Sequence, residues 1–140
     1  MRKINSTLLI TLLCPLFLAL LTACSQSYTP ARCESLIERA RAGKATQGDY
    51  SDMIDIMDDI SERIAEKWST LRDIAAQDPE KAAEMESKLN ADEEFKSMGQ
   101  YYFNMAFLLS QAQLDAANKD KLEKLDERNR ERARNFENDL

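Results

Sequence analysis

Tyr50-Ser51-Asp52-Met53-Ile54-Asp55-Ile56-Met57-Asp58-Asp59-Ile60-Ser61-Glu62-Arg63-Ile64 decides the fold class. Tyr50, Met53, Met57, Ile60 and Ile64 follow an alternating three-four spacing, which Leu71 and Ile74 extend. On a helix of 3.6 residues per turn, that spacing gathers the apolar side chains on one side. Ile54 and Ile56 widen the stripe. Lys67 breaks its seam, and Trp68 beside it widens it again. A long helix with one apolar side needs partners to cover it, which is the pattern of a helical bundle.

The flanking segments agree. No stretch of the mature chain sustains a period-two alternation, and Gly43, Gly48, Gly99, Pro30 and Pro79 are its only glycines and prolines. A first helix is expected over residues 30–42, capped by Thr29 and opened by Pro30, whose missing N–H costs nothing at that position. The glycine-bounded stretch 43–48 turns the chain. The second helix is expected over 50–76 with Asp49 as its cap. Asp78-Pro79 breaks the chain and opens a third helix, which is expected to continue to about residue 117. Asp92 interrupts its heptad step, and Asn90 marks a possible irregularity. A fourth helix, over 119–138, carries a thinner stripe of Leu122, Leu125, Ala133 and Phe136. A turn near Asn118-Lys119-Asp120 and a continuous helix with a stutter are both compatible with its shifted phase. The fold class expected for residues 30–140 is all-α, an antiparallel three- to four-helix bundle with coiled-coil-like packing.

The N-terminus has a different character. Arg2 and Lys3 precede an apolar run over residues 8–19, and Leu21-Thr22-Ala23-Cys24 follows it. These are the parts of a secretory signal. The run is short of the roughly 20 residues that span a bilayer, and Pro15 interrupts it. Leu21-Thr22-Ala23-Cys24 resembles the lipobox of bacterial lipoprotein precursors. The resemblance covers residues 1–24 and implies that residues 1–23 are removed and that Cys24 is lipidated. More than one acyl chain is needed for stable anchoring. Ser25, in place of Asp, implies the outer membrane of a Gram-negative envelope. Residues 24–29 are read as the lipidated cysteine and a short tether.

Loss of residues 1–23 leaves 117 of the 140 residues, enough for one domain with a core. It also takes the formal net charge from −6 to −8, because Arg2 and Lys3 leave with no acid. An acidic chain without His repels phosphates, so no nucleic-acid partner is expected, and contact with anionic lipid surfaces is disfavoured beyond the acyl anchor. Basic partners and cationic peptides remain compatible. Cys14 leaves with the leader and Cys24 is consumed by lipid, so Cys33 has no intrachain partner. It lies in register with Leu36, Ile37 and Ala40. It is either buried on that apolar side as a small hydrophobe or bridged to a second chain. No histidine-dependent triad, His-ligated metal site or glycine-rich phosphate loop can be built from this sequence. No enzymatic activity, metal or cofactor is expected.

Three stretches stand out as candidate surfaces. Tyr101-Tyr102-Phe103-Asn104-Met105-Ala106-Phe107-Leu108-Leu109 is apolar nearly all round. It is either the central, flanked helix of the bundle or the source of an interaction surface made by Phe103, Phe107 and Leu114. Asn104 within it either meets a polar partner or lies on a partly exposed turn. Asp55, Asp58, Asp59 and Glu62, with Asp52 nearby, read as a solvated acidic face rather than a cation site, since no glycine-bearing calcium loop is present. In residues 119–134, Asp120 with Lys124 and Asp126 with Arg130 have i,i+4 spacing. Arg128, Arg130, Arg132 and Arg134 form a weaker candidate docking stripe. The function expected is that of a non-enzymatic, membrane-anchored envelope lipoprotein whose helical domain binds an unidentified envelope protein or itself. The rival reading is an inhibitor or immunity-type module that masks a cationic envelope toxin or hydrolase. A spacer like the major murein lipoprotein is disfavoured, because Asp78-Pro79 interrupts a rod and Leu140 stands where a terminal Lys would be needed.

Overall fold

The computed structural model describes residues 27–138. The leader 1–23, the lipobox with Cys24, and tether residues 25 and 26 lie outside the described residues. The described chain forms five helices and is 86% helical, without strands. They are α1 (Pro30–Arg41), α2 (Gln47–Ala75), α3 (Pro79–Ala91), α4 (Glu93–Gln111) and α5 (Ala116–Asn138). The all-α bundle is therefore as expected.

Local chemistry sets the helix ends. Thr29 caps α1 by accepting from the Arg32 N–H, and Pro30 opens it. Its far end closes through Gly43, whose φ of 67° is costly for any residue with a Cβ. That conformation lets Lys44 N–H reach Arg39 O at 2.8 Å and Gly43 N–H reach Ala40 O at 3.0 Å. Both bonds belong to the Schellman arrangement that satisfies a helix's last carbonyls. α2 starts three residues earlier than the sequence suggests. Its cap is Thr46, and Asp49 is the reciprocal member of a capping box: Asp49 N–H donates to Thr46 Oγ1, and Thr46 N–H to Asp49 Oδ2. Asp78 caps α3 by accepting from Lys81 N–H.

The expected third helix is two helices. Asp92 adopts an extended conformation, ends α3 and caps α4 by accepting from Phe95 N–H at 2.7 Å. Short polar side chains compete with the helix in this way. The arm ends at Gln111, and residues 112–115 make the turn into α5, ahead of the expected place. Gln47 pins that turn to the start of α2. Its Nε2 donates to Gln113 O, and its Oε1 accepts from Asp115 N–H and Asn118 Nδ2. Asn118 is consequently buried yet satisfied.

α2 is the hub and touches all four other helices. α1 runs antiparallel to it, with Arg39 paired to Asp49 and Tyr28 N–H to Asp59. The α3–α4 arm returns antiparallel, so that Gln113 meets Gln47 and Phe95 meets Trp68. α5 turns back once more and lies parallel to α2 with an offset of 70, Ser51 facing Lys121 and Asp58 facing Arg128. The core gathers Leu36, Met53, Ile54, Ile56, Ile60, Met98, Met105 and Leu125, each almost fully buried. Cys33 is also fully buried, and burial pushes its thiol up to about 11. A thiol so placed is inert packing, not a bridge to another chain.

Leu125 is the only α5 side chain fully buried among the described residues, and it closes the core from that side. Leu125→Ala should cost about 2–5 kcal/mol by lost transfer energy and the cavity left behind. Urea unfolding followed by circular dichroism reads this directly.

Candidate functional site: a groove and an uncovered helix face

The aspartates of the α2 acid row are not a solvated face. They divide between the two flanks and are engaged by cations or a backbone N–H, while Glu62 stays exposed. On one flank Arg32 pairs with Asp52, and Asp59 accepts from both Tyr28 N–H and Arg63. On the other flank Lys121 binds Asp55 at 2.7 Å, and Asp58 receives Arg128 at 2.9 Å and Arg132 at 2.8 Å. Two members of the expected basic stripe, Arg128 and Arg132, are thus committed within the fold. Burial acts to raise the Asp58 carboxyl. The hydrogen bonds from Arg128 and Arg132 outweigh it and hold the group below the usual carboxylate range.

Arg132 also starts a polar chain across the bundle. Its Nη1 donates to Asn129 Oδ1 at 2.9 Å, and Asn129 Nδ2 donates to Tyr102 Oη at 3.0 Å. This chain links α2, α5 and α4 where the α5 stripe runs out: Leu122 and Leu125 are followed at inward positions by Asn129 and Arg132. Below the chain the helices enclose an open groove of about 940 Å³. Ile64, Ala65 and Trp68 of α2 form one wall, Ala133 and Phe136 of α5 the other, and Tyr102 its head. Trp68 also meets Phe95 edge-on, with centroids 6.3 Å apart. The Arg72 guanidinium lies 5.6 Å from the Phe136 ring centre. The groove's largely apolar wall is what a binding slot requires.

The second surface is the outward side of α4. Phe103 is 71% exposed and Phe107 55%. Met98, Met105 and Leu109 on the opposite side of the same helix are buried. The 101–109 block is therefore flanked but not enclosed. Leu114 does not join the two phenylalanines. It sits in the turn after α4 and is buried at 8% exposure, because the helix ends before reaching it. Asn104 accepts from Arg41 of α1 at 3.5 Å. Tyr101 donates to Glu34, and that hydrogen bond pushes its phenol up to about 12.

The groove was missed in the sequence. Its one signal was the thinning of the α5 stripe, which reads equally well as a solvated helix. No group of three or more His, Cys, Asp or Glu among the described residues is arranged to hold a metal ion. Cys24 lies outside the described residues. Comparison of the chain with protein-family models, with curated proteins and with solved structures finds no match in any of the three.

A group whose folded pKa is depressed stabilises the fold above its unfolded pKa, and that contribution disappears as pH falls through the folded value. Asp58→Asn should therefore lower the melting temperature by a few degrees at neutral pH, an effect on the order of 1 kcal/mol for partly exposed pairs. The gap between variant and parent should close as pH falls below about 4. Thermal melts of both proteins across the acid range test this, and a gap independent of pH would contradict it.

Proposed function

We propose that this chain is a non-enzymatic lipoprotein of a Gram-negative cell envelope. It is held through lipid on Cys24, in the outer membrane, and its helical domain binds a second envelope protein. The observation that carries the binding reading is the groove between α2 and α5. Its walls run from Ser61 to Arg72 on α2, about 17 Å or three helical turns. An open slot of that length, bordered by two parallel helices, fits the apolar side of an amphipathic helix, with partner residues at i, i+3 or i+4, and i+7. Trp68, Tyr102 and Phe136 offer the aromatic anchors that dominate such contacts. The rim carries Glu62, Glu66 and Glu137, while its two cations are engaged, Arg132 by Asp58 and Arg72 by Asp73 and the Phe136 ring. A helix with cationic residues beside its apolar side is the complementary partner.

The lipobox and the short apolar leader support the anchor, and Ser25 in place of Asp supports the outer membrane. The rival reading, an inhibitor or immunity-type module that masks a cationic toxin or hydrolase, draws on small size, acidity and envelope location. Because Arg32, Lys121, Arg128 and Arg132 engage most of the α2 acid row, the acids left to such a partner near the groove are those of its rim.

A photo-crosslinking residue at Ala133, inside the groove, should capture a defined envelope protein through an amphipathic helical segment. The same residue at Glu123, exposed on α5 and outside the groove, should not. With the crosslinking residue kept at Ala133, Ala65→Asp on the facing wall should abolish capture, and circular dichroism melts confirm that this variant stays folded. Equal capture from both positions, or from neither, would refute a groove-bound partner. Separately, Cys24→Ala should leave an unprocessed precursor without acyl label, and normal labelling of that variant would refute the anchor.

A further inference from the structure

Residues 97–114 contain no Asp, Glu, Lys or Arg. Eighteen uncharged residues in a chain that is 31% charged form the longest such run after residue 24. They supply most of α4 and the turn after it. The outward side of α4 shows Gly99, Gln100, Phe103, Phe107, Ser110 and Gln111 to the outside. Among the described residues no helix covers it, since α1, α2 and α3 meet α4 elsewhere. The helix is not long and apolar enough to cross a membrane.

The chain enters the domain beside this helix. Tyr28 is buried, its ring 6.3 Å from that of Tyr101 on α4, and its N–H donates to Asp59 at 2.7 Å. Only residues 25–27 separate Tyr28 from Cys24. Four residue steps reach at most about 14 Å. From the level of Asp59, α2 extends about 18 Å to Gln47 in one direction and about 24 Å to Ala75 in the other. With the acyl chains of Cys24 in a bilayer, an upright bundle would drive one end into the headgroups or deeper. The Ala75 end carries Asp73, Asp78, Glu80, Lys81 and Glu84, and the Gln47 end carries Arg41, Lys44, Asp115 and Lys119, so insertion of either end costs the desolvation of charges. A domain lying on its side, with the α1–α4 flank that receives the tether toward the lipid, avoids that cost.

We infer that the uncharged outward side of α4 is a membrane-contact surface, on which Phe103 and Phe107 enter the headgroup boundary of the bilayer that holds the anchor. A lipid surface fits better than a protein here because the anchor, on whose existence at Cys24 this rests, keeps α4 within a helix diameter or so of the bilayer. An uncharged side with two exposed aromatic rings carries no desolvation cost for ionic groups at that boundary. The ionic groups of α4 are confined to Glu93, Glu94 and Lys96 in its first turn, where Lys96 pairs with Glu93, so the strip beyond them meets a headgroup surface without the repulsion expected of the acidic chain as a whole. The contact leaves the groove between α2 and α5 open to a protein partner, since that groove faces another side of α2 and reaches α4 only at Tyr102.

The test uses the full chain, processed in cells, purified with its lipid and reconstituted into vesicles of phosphatidylethanolamine and phosphatidylglycerol. Trp68→Phe removes the chain's one tryptophan. Phe103→Trp or Phe107→Trp is then added as reporter, with Glu123→Trp as the control, and circular dichroism melts confirm that each variant is folded. Blue-shifted emission at positions 103 and 107, lost when the vesicles contain brominated acyl chains, is the expected result, with no such loss at position 123. Acyl label on the same samples is read independently. If label is present and positions 103 and 107 stay open to aqueous acrylamide and untouched by bromine, the anchor stands and the contact surface is refuted. If label is absent from Cys24, the anchor fails and the contact surface falls with it. Protection of position 103 by a crosslinked protein, rather than by lipid, would also overturn it.

Discussion

Asp58 is clasped by two guanidinium groups from α5, and this clasp with its neighbours is what allows α2 to be the centre of the bundle. α2 carries Asp49, Asp52, Asp55, Asp58 and Asp59 within three turns, while α1, α4 and α5 all pack on that part of it. Like charges at this spacing repel by about 0.2–0.5 kcal/mol per pair on an open helix. Covering them with neighbours would make that worse without cations among those neighbours. α1 brings Arg32 and Arg39, and α5 brings Lys121, Arg128 and Arg132. Individually such partly exposed pairs contribute at most about 1 kcal/mol. Their larger effect is on register. Apolar burial is non-directional, and a three-four stripe would tolerate α5 sliding by a heptad. The pairs at Asp55 and Asp58 and the staple at Gln47 agree on one offset.

What was legible in the sequence was whatever depends on neighbours a few residues apart. The three-four spacing gave the helices, Thr29 and Asp78 gave two starts, and Cys33 in step with Leu36 and Ile37 was open to burial. The errors came from rivalry between adjacent caps or from contacts across long separations. Thr46 and Asp49 are both good caps three residues apart, and the capping box uses both, with Thr46 outside and Asp49 inside. Asp92 was visible as a break in the heptad. Whether it interrupts a seam or ends a helix depends on its backbone, which the pattern does not encode. The acid row read as solvated because its partners lie up to some 70 residues away, and spacing alone cannot bring Lys121 to Asp55.

The groove follows from the same residues that fix the register. Arg132 occupies an inward-leaning position on α5, where a leucine would have continued the stripe of Leu122 and Leu125. It cannot both reach Asp58 and fill the space beside Trp68. Asn129 one turn earlier is likewise spent on Tyr102 and Arg132. The core therefore ends at a polar chain, and Ala133, the next inward residue, is too small to close what lies beneath. An apolar α5 would have sealed the bundle at the cost of the clasp. The sequence keeps the clasp and leaves Ile64, Trp68 and Phe136 partly open.

α4 shows the opposite economy of charge. It has no ionic residue in its last fifteen positions, so packing of Met98, Met105 and Leu109 holds it, helped by neutral groups such as Tyr101 and Asn104 that bond to charged ones on α1. Folding explains that inner side. It does not explain the outer one. A helix side facing water gains nothing in stability from Phe at 71% exposure, and polar residues there would keep the same core. Elsewhere most exposed helix positions carry Lys, Arg, Asp or Glu and most of the rest are small or polar, Phe136 being the other exposed ring. On the membrane-contact proposal the two large rings at i and i+4 on an uncharged strip answer to something outside the fold, and the strip begins beside the point where the chain leaves for Cys24. The place of the rings and the shortness of the tether are independent features of the sequence, and a bilayer against the α1–α4 flank accounts for both.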